Sequence, residues 1–192
     1  MARLGLTLAL EHYDRHVPFF DGTVKPEEIE LTAFHVGQVI PSRRGANRHE
    51  RMIRDLEFDA AEVSLSSYLM AKDRGLPLTA IPVFPRRLFS QSLIYCHANS
   101  AIRAPRDLVG KNMGINSFQT TLSVLAKGDL QEEYNVPWRE IRWYTAKEEA
   151  LPFRPQAGVV IRPIPEGKEI GEMAGRGELD GVILPHPPRS IR

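Results

Sequence analysis

Three short apolar runs, Leu4 to Leu10, Ile29 to Val36 and Phe58 to Val63, alternate along the first third of the chain with stretches of helical period. This alternation limits the fold more than any other feature. Asn47 to Glu57 puts Met52, Ile53 and Leu56 on one helical face, behind an Asn47 N-cap with Glu50 three residues on. Ser64 to Arg74 opens on a serine cluster, repeats Leu65, Tyr68 and Leu69 at helical spacing and stops at Gly75. A βαβαβ order forms a parallel sheet covered by crossover helices, because parallel neighbours cannot be joined by a tight turn.

The rest of the chain repeats the theme. Thr79 to Phe84 and Ser92 to His97 are extended candidates on either side of the charged segment Pro85-Arg86-Arg87-Leu88-Phe89-Ser90, and a short helix starts at Ala104-Pro105. A second series follows: a strand from Asn112 to Ile115, a long helix from about Gln119 to Tyr134 and strands at Ile141 to Thr145 and Val159 to Pro163. It closes with a helix near Glu169 to Gly175 and a strand from Asp180 to Leu184. The count predicts an α/β protein of two lobes, 1–97 and 98–192. Leu122, Leu125, Leu130 and Tyr134 form a stripe on the long helix that reads as its core face, and Trp138 and Trp143 read as packed.

Composition narrows the function classes. A hydrophobic fraction of 42% over 192 residues supports a real core. Lys+Arg total 25 against 24 Asp+Glu, so no global field favours nucleic acid or an acidic membrane, and selectivity for anions must come from local placement. Cys96 is the only cysteine, which excludes an intrachain disulfide and a multi-cysteine metal site and points to a reducing compartment. The opening residues read as a strand rather than a signal peptide, and no run approaches the ~18 apolar residues of a membrane span. A cytoplasmic location is expected. No Gly-x-Gly-x-x-Gly, phosphate loop or basic stripe with interleaved aromatics is present, so neither a nucleotide cofactor nor nucleic acid has motif support. A homo-oligomer is left open.

In open α/β lobes ligands gather beyond the carboxyl ends of the strands, where helix N-termini offer free N–H groups. Four segments qualify: Glu11-His12-Tyr13-Asp14, Ser64-Leu65-Ser66-Ser67, Arg86-Arg87 and Ser117-Phe118-Gln119-Thr120-Thr121. Ser64, Ser66, Ser67, Thr120 and Thr121 can donate to a carboxylate or simply cap their helices. Arg86 can fork onto a planar carboxylate or lie in a solvated turn. His12, with Tyr13 and Asp14 beside it, suits proton transfer near neutral pH, or is a surface histidine. Glu62, at a strand end, is either a proton donor or an interlobe salt-bridge partner. His12 and His16 are four apart but lie in no metal motif, so no metal is expected. His35, His49, His97 and His186 have no helpful sequence neighbours and receive no role.

The segment Phe58-Asp59-Ala60-Ala61-Glu62-Val63-Ser64-Leu65-Ser66-Ser67-Tyr68-Leu69-Met70, followed by Ile81-Pro82-Val83-Phe84-Pro85-Arg86, is similar to the 4,5-dihydroxyphthalate decarboxylase family. So are Pro105-Arg106-Asp107-Leu108-Val109-Gly110-Lys111, Gln131-Glu132-Glu133-Tyr134-Asn135-Val136, Pro165-Glu166-Gly167 and Gly177-Glu178-Leu179-Asp180. The resemblance implies a type II periplasmic-binding-protein-like fold whose chain returns to lobe one after lobe two. On that basis lobe one is expected to be incomplete in this sequence. It also implies non-oxidative loss of one carboxylate from a small anionic aromatic substrate, giving protocatechuate and carbon dioxide without an organic cofactor. By position, His12 or Asp14 would act at the phenol and Glu62 as proton donor. Arg86 with the Ser64/Ser66/Ser67 and Thr120/Thr121 helix starts would clamp the retained carboxylate, beside Tyr13 and Gln119. A non-catalytic solute-binding protein for a small anion, related to the substrate-binding components of ABC transporters, is the alternative this fold leaves open.

Overall fold

A computed structural model describes residues 3–37 and 47–191. It is α/β throughout and divides into two compact units, Met1–Pro85 and Arg86–Arg192. Among the described residues no helix is long and apolar enough to cross a membrane.

The first unit is built on a parallel sheet of β1 (Leu4–Leu10), β2 (Ile29–His35) and β3 (Ala60–Ala61), in the order β2-β1-β3. Register runs from Leu4 opposite Ile29 to Leu10 opposite His35, and Ala9 lies opposite Ala61. All three strands point the same way, so their carboxyl ends share one edge. A short turn of helix, α1 (Val17–Phe20), follows β1; α2 (Arg48–Asp55) precedes β3 and α3 (Leu65–Asp73) follows it. The core of the unit is Ala9, Val36 and Phe58, with Met52 and Ala61 packed against them.

The N-terminus of α2 forms as its sequence predicts. Asn47 accepts from the N–H groups of His49 (2.9 Å) and Glu50 (3.2 Å), while the Glu50 carboxylate returns to the Asn47 N–H at 3.3 Å. This capping box satisfies donors that a helix start leaves open. Asn47→Ala should therefore cost about 1 kcal/mol, with Asn47→Asp retaining most of it. Amide exchange across α2 checks this.

Packing departs from the expected stripes in several places. Ile53 is buried as predicted, but Leu56 takes the left-handed C-cap position (φ 49°) and is 46% exposed. On α3 the buried residues are Ser67 and Ala71, with Leu65 and Leu69 facing outward. The expected strand at Thr79 to Phe84 joins no ladder among the described residues and is no strand. Pro82 inside it and Pro85 just beyond supply no N–H to a ladder, which confines such a segment to an edge or a loop.

The second unit holds a mixed sheet in the order β4-β8-β5-β6-β7: β4 (Ile94–Cys96), β5 (Asn112–Ile115), β6 (Arg142–Thr145), β7 (Val160–Pro163) and β8 (Gly181–Ile183). Only β4 runs antiparallel, against β8. Gly181 is required where these strands meet, since a Cβ there would lie 2.8 Å from the Tyr95 carbonyl oxygen. The helices are α4 (Thr121–Glu132) and α5 (Ile170–Gly175). Met113, Ile115, Ala126, Leu130, Ile141, Trp143 and Ile183 make the main core, and α5 packs through Ile170, Met173 and Ala174 onto Leu179 and Val182. The predicted α4 stripe is rotated: Ala126 and Leu130 are buried, whereas Leu125 is 50% exposed and Tyr134 also faces outward.

Candidate active site

The shared carboxyl edge of the first sheet collects titratable side chains from every strand. Beyond β1 lie Glu11, His12 and Tyr13; β2 ends on His35; and Glu62 follows β3. The ladder extends past the strands, with Val36 N–H donating to Leu10 O and Glu62 N–H to Ala9 O, both at 3.0 Å, and so fixes where these side chains start.

Arg48, at the first position of α2, binds this edge together. Its side chain is 1% exposed. Nη1 donates to Glu11 Oε2 at 3.0 Å and to the Val36 carbonyl at 3.1 Å, and Nη2 donates to Glu62 Oε2 at 2.8 Å. The planar fork lets one guanidinium serve two carboxylates at once, which a lysine ammonium cannot do with the same geometry. Glu62 Oε2 also faces the Glu11 N–H at 3.4 Å, and the Tyr13 hydroxyl reaches Glu62 Oε1 at 3.4 Å. The interlobe ion pair expected as the alternative for Glu62 is made instead within its own unit, with Arg48.

The imidazoles lie on the outer side of this cluster. His35 Nε2 is 3.6 Å from Glu11 Oε1. The His12 ring lies 5.0 Å from the His35 ring and stacks on Phe20 at 5.9 Å with 4° between planes, and Phe20 is 5.9 Å from His35. His16 is buried instead, its Nδ1 2.9 Å from the Glu11 carbonyl. Arg15 covers the Tyr13 ring at 4.2 Å and donates to the Pro85 carbonyl. Gly37 leaves room for the Glu11 carboxylate: a Cβ there would come within 3.0 Å of Glu11 Oε1.

Of the residues singled out by sequence, His12, Tyr13 and Glu62 come together on this edge. Asp14 opens the following 3-10 turn and is exposed. Ser64 holds the N-cap of α3 without a side-chain capping bond; its hydroxyl meets that of Ser66 at 3.3 Å, and Ser67 is buried. Three participants escaped sequence reasoning: Arg48, His35, and Glu11 beyond its place in a candidate segment. Arg48 sits four residues before Met52 and so shares its inward face, a signal that was available in the sequence.

In the second unit Arg86 is half-buried at the start. Thr120 caps α4, accepting from the Ser123 N–H at 3.4 Å. The N–H groups of Phe118 and Gln119 donate to the Glu149 carboxylate at 2.5 and 3.1 Å, so the chain itself supplies the anion at this helix entry, next to Thr121. Burial raises the Glu149 pKa, against the lowering effect of those two N–H bonds and of Lys127. Lys127, on the next turns of α4, donates to the Phe118 carbonyl at 2.7 Å, with its Nζ 3.0 Å from the Phe118 ring centre.

No family model matches the chain. It is 33% identical over 195 residues to a 4,5-dihydroxyphthalate decarboxylase of Comamonas testosteroni, covering 98% of this chain and 57% of that protein. To the 4,5-dihydroxyphthalate decarboxylase of Pseudomonas putida it is 30% identical over 207 residues, covering 98% of this chain and 73% of that protein. The chain therefore spans little more than half the length of the first of these relatives.

Proposed function

The chain belongs to the 4,5-dihydroxyphthalate decarboxylase family, and from that premise we propose that it acts in the non-oxidative decarboxylation of 4,5-dihydroxyphthalate to protocatechuate. The observation that supports this most is the acid–base edge of the first sheet, where Tyr13 and Glu62 meet and the His12 ring stacks parallel to Phe20 beside them. A planar aromatic acid suits that edge. We also read the two units as the lobes of a type II periplasmic-binding-protein-like fold, divided at Pro85 rather than after His97, a reading supported by the parallel strands in both sheets.

The chemistry needs a phenolic proton removed para to the departing carboxylate, so that electron density rises at the ring carbon, and a proton delivered to that carbon. His12 is assigned the phenolic proton, with Asp14 in the next turn as the other candidate. The test is incubation of the purified protein with 4,5-dihydroxyphthalate, following carbon dioxide and protocatechuate. Equal amounts of both products are expected, and in deuterium oxide one deuterium at the vacated ring position. Tight binding of the substrate with no turnover would replace the enzyme by a binding protein.

A further inference from the structure

We infer that His35, oriented by Glu11, delivers the proton to the ring carbon, and that Arg48 acts as the positioning residue behind both. The inference rests on the decarboxylase reading above and deepens it by naming the donor. Glu62, the donor expected from sequence, is an acceptor in the contacts described: Oε2 receives Arg48 Nη2 and faces the Glu11 N–H, and Oε1 receives the Tyr13 hydroxyl. Three donors aim at a group that would have to give a proton away.

His35 is placed differently. It ends β2 with its side chain 36% exposed, its Nε2 3.6 Å from Glu11 Oε1 and its ring beside His12 and Phe20, on the edge assigned to the substrate. Among the described residues nothing hydrogen-bonds its Nδ1, leaving that nitrogen for the ligand. A carboxylate beside one imidazole nitrogen fixes the ring's orientation, so that the other nitrogen faces the ligand. Glu11 is held for this duty, because Arg48 Nη1 donates to its other oxygen at 3.0 Å and the His12 N–H donates to Oε1 at 3.2 Å.

The step balances without a redox partner. With the para phenol ionised, the His35 imidazolium N–H breaks and a C–H bond forms at the carbon bearing the departing carboxylate. The C–C bond to that carboxylate then breaks, its electron pair returns to the ring, and carbon dioxide leaves. Reprotonation of the phenolate and of His35 restores the starting state, with one proton consumed from water for each carbon dioxide released.

His35→Ala and His35→Asn are the tests, run beside the unmodified protein with 4,5-dihydroxyphthalate. Since His35 is exposed, both variants should keep the parent circular dichroism, and either one suffices if the other fails to fold. The expected result is a fall in kcat of about 10²- to 10⁴-fold with little change in KM, and partial recovery of His35→Ala by added imidazole. Imidazole should not speed the parent. Glu11→Gln should lower kcat less, again leaving KM, with Glu11→Asp intermediate. For Arg48, Arg48→Lys should lower kcat while its KM stays near the parent's. An active parent whose His35 variants stay within about twofold in kcat, or lose activity without imidazole rescue, overturns the His35 assignment alone. A parent that binds substrate but releases no carbon dioxide overturns the decarboxylase reading and the donor with it.

Discussion

Arg48→Ala should lower the stability of the first unit by about 3–5 kcal/mol, the loss typical of breaking a buried ion pair by removing one partner. The side chain is 1% exposed and serves two carboxylates, of which Glu62 is 10% and Glu11 22% exposed. Alanine would leave both oxygens without their cation, the Val36 carbonyl without its donor, and a void the size of a guanidinium. Nothing in helix formation favours arginine here: Arg48 is the first residue of α2, where the helix dipole disfavours a cation by about 0.3–1 kcal/mol. Its Nε is buried with no hydrogen-bond partner among the described residues, a further cost. A group kept against two such costs is there for what it holds. Urea unfolding by circular dichroism, with amide exchange over β1 and β2, measures the loss. A neutral background of Glu11→Gln with Glu62→Gln should make Arg48→Met far milder than Arg48→Ala is in the parent, because burying apolar groups in place of a charge triad is often close to neutral. A loss under about 1 kcal/mol for Arg48→Ala would mean that solvent screens these charges.

What could be read in advance divides along the range of the interactions. Asn47 and Glu50 satisfy each other three residues apart, and β5 occupies the four residues its apolar pattern marked. Local rules suffice for these. The face that a helix buries is set by whatever sheet lies beneath it, which is why Leu56, Leu125 and Tyr134 fall outside their cores although each fits a helical stripe. Ile81 and Val83 alternate as a strand should, yet prolines withhold the donors a ladder needs. The candidate site was half legible. His12, Tyr13 and Glu62 could be named because each follows or ends an apolar run, where open α/β sheets gather ligands. Arg48 shares the inward face of Met52, but its partners lie 37 residues away at Glu11 and 14 away at Glu62, a distance no local pattern spans. His35 was passed over for the same reason, since its partners Glu11 and His12 meet it only through the β1–β2 register.

The second large effect concerns Lys127, and it should appear as a pH dependence of stability. Burial lowers its pKa from the usual 10.5 to about 7, with Glu149 pulling the other way. Below about pH 7 the amine is charged in both folded and unfolded chains, and the folded state bears the full cost of burying that charge. Between about 7 and 10.5 the unfolded chain holds the proton and the folded one has released it, so stability rises with pH, by up to about 1.4 kcal/mol per unit. Glu149 contributes with the opposite sign, since its raised pKa removes stability as pH climbs through it. Cys96, whose thiol burial holds above its usual 9.0, does the same above that pH. The useful comparison is therefore Lys127→Met against the parent between about pH 6.5 and 9, where Cys96 is silent and Glu149 is present in both. Methionine fills the space among Phe118, Trp138 and Trp143 but gives the Phe118 carbonyl no donor. Relative to the parent it should be most favourable at the acid end and lose about 2–3 kcal/mol of that advantage by the alkaline end. Trp138 and Trp143 lie 5.5 and 5.8 Å from Nζ, so tryptophan fluorescence during urea unfolding reports on the same core. Parallel pH curves for the two proteins would mean that Lys127 stays charged in its box. The rings and the Phe118 carbonyl would then compensate the buried ammonium in full, without any help from deprotonation.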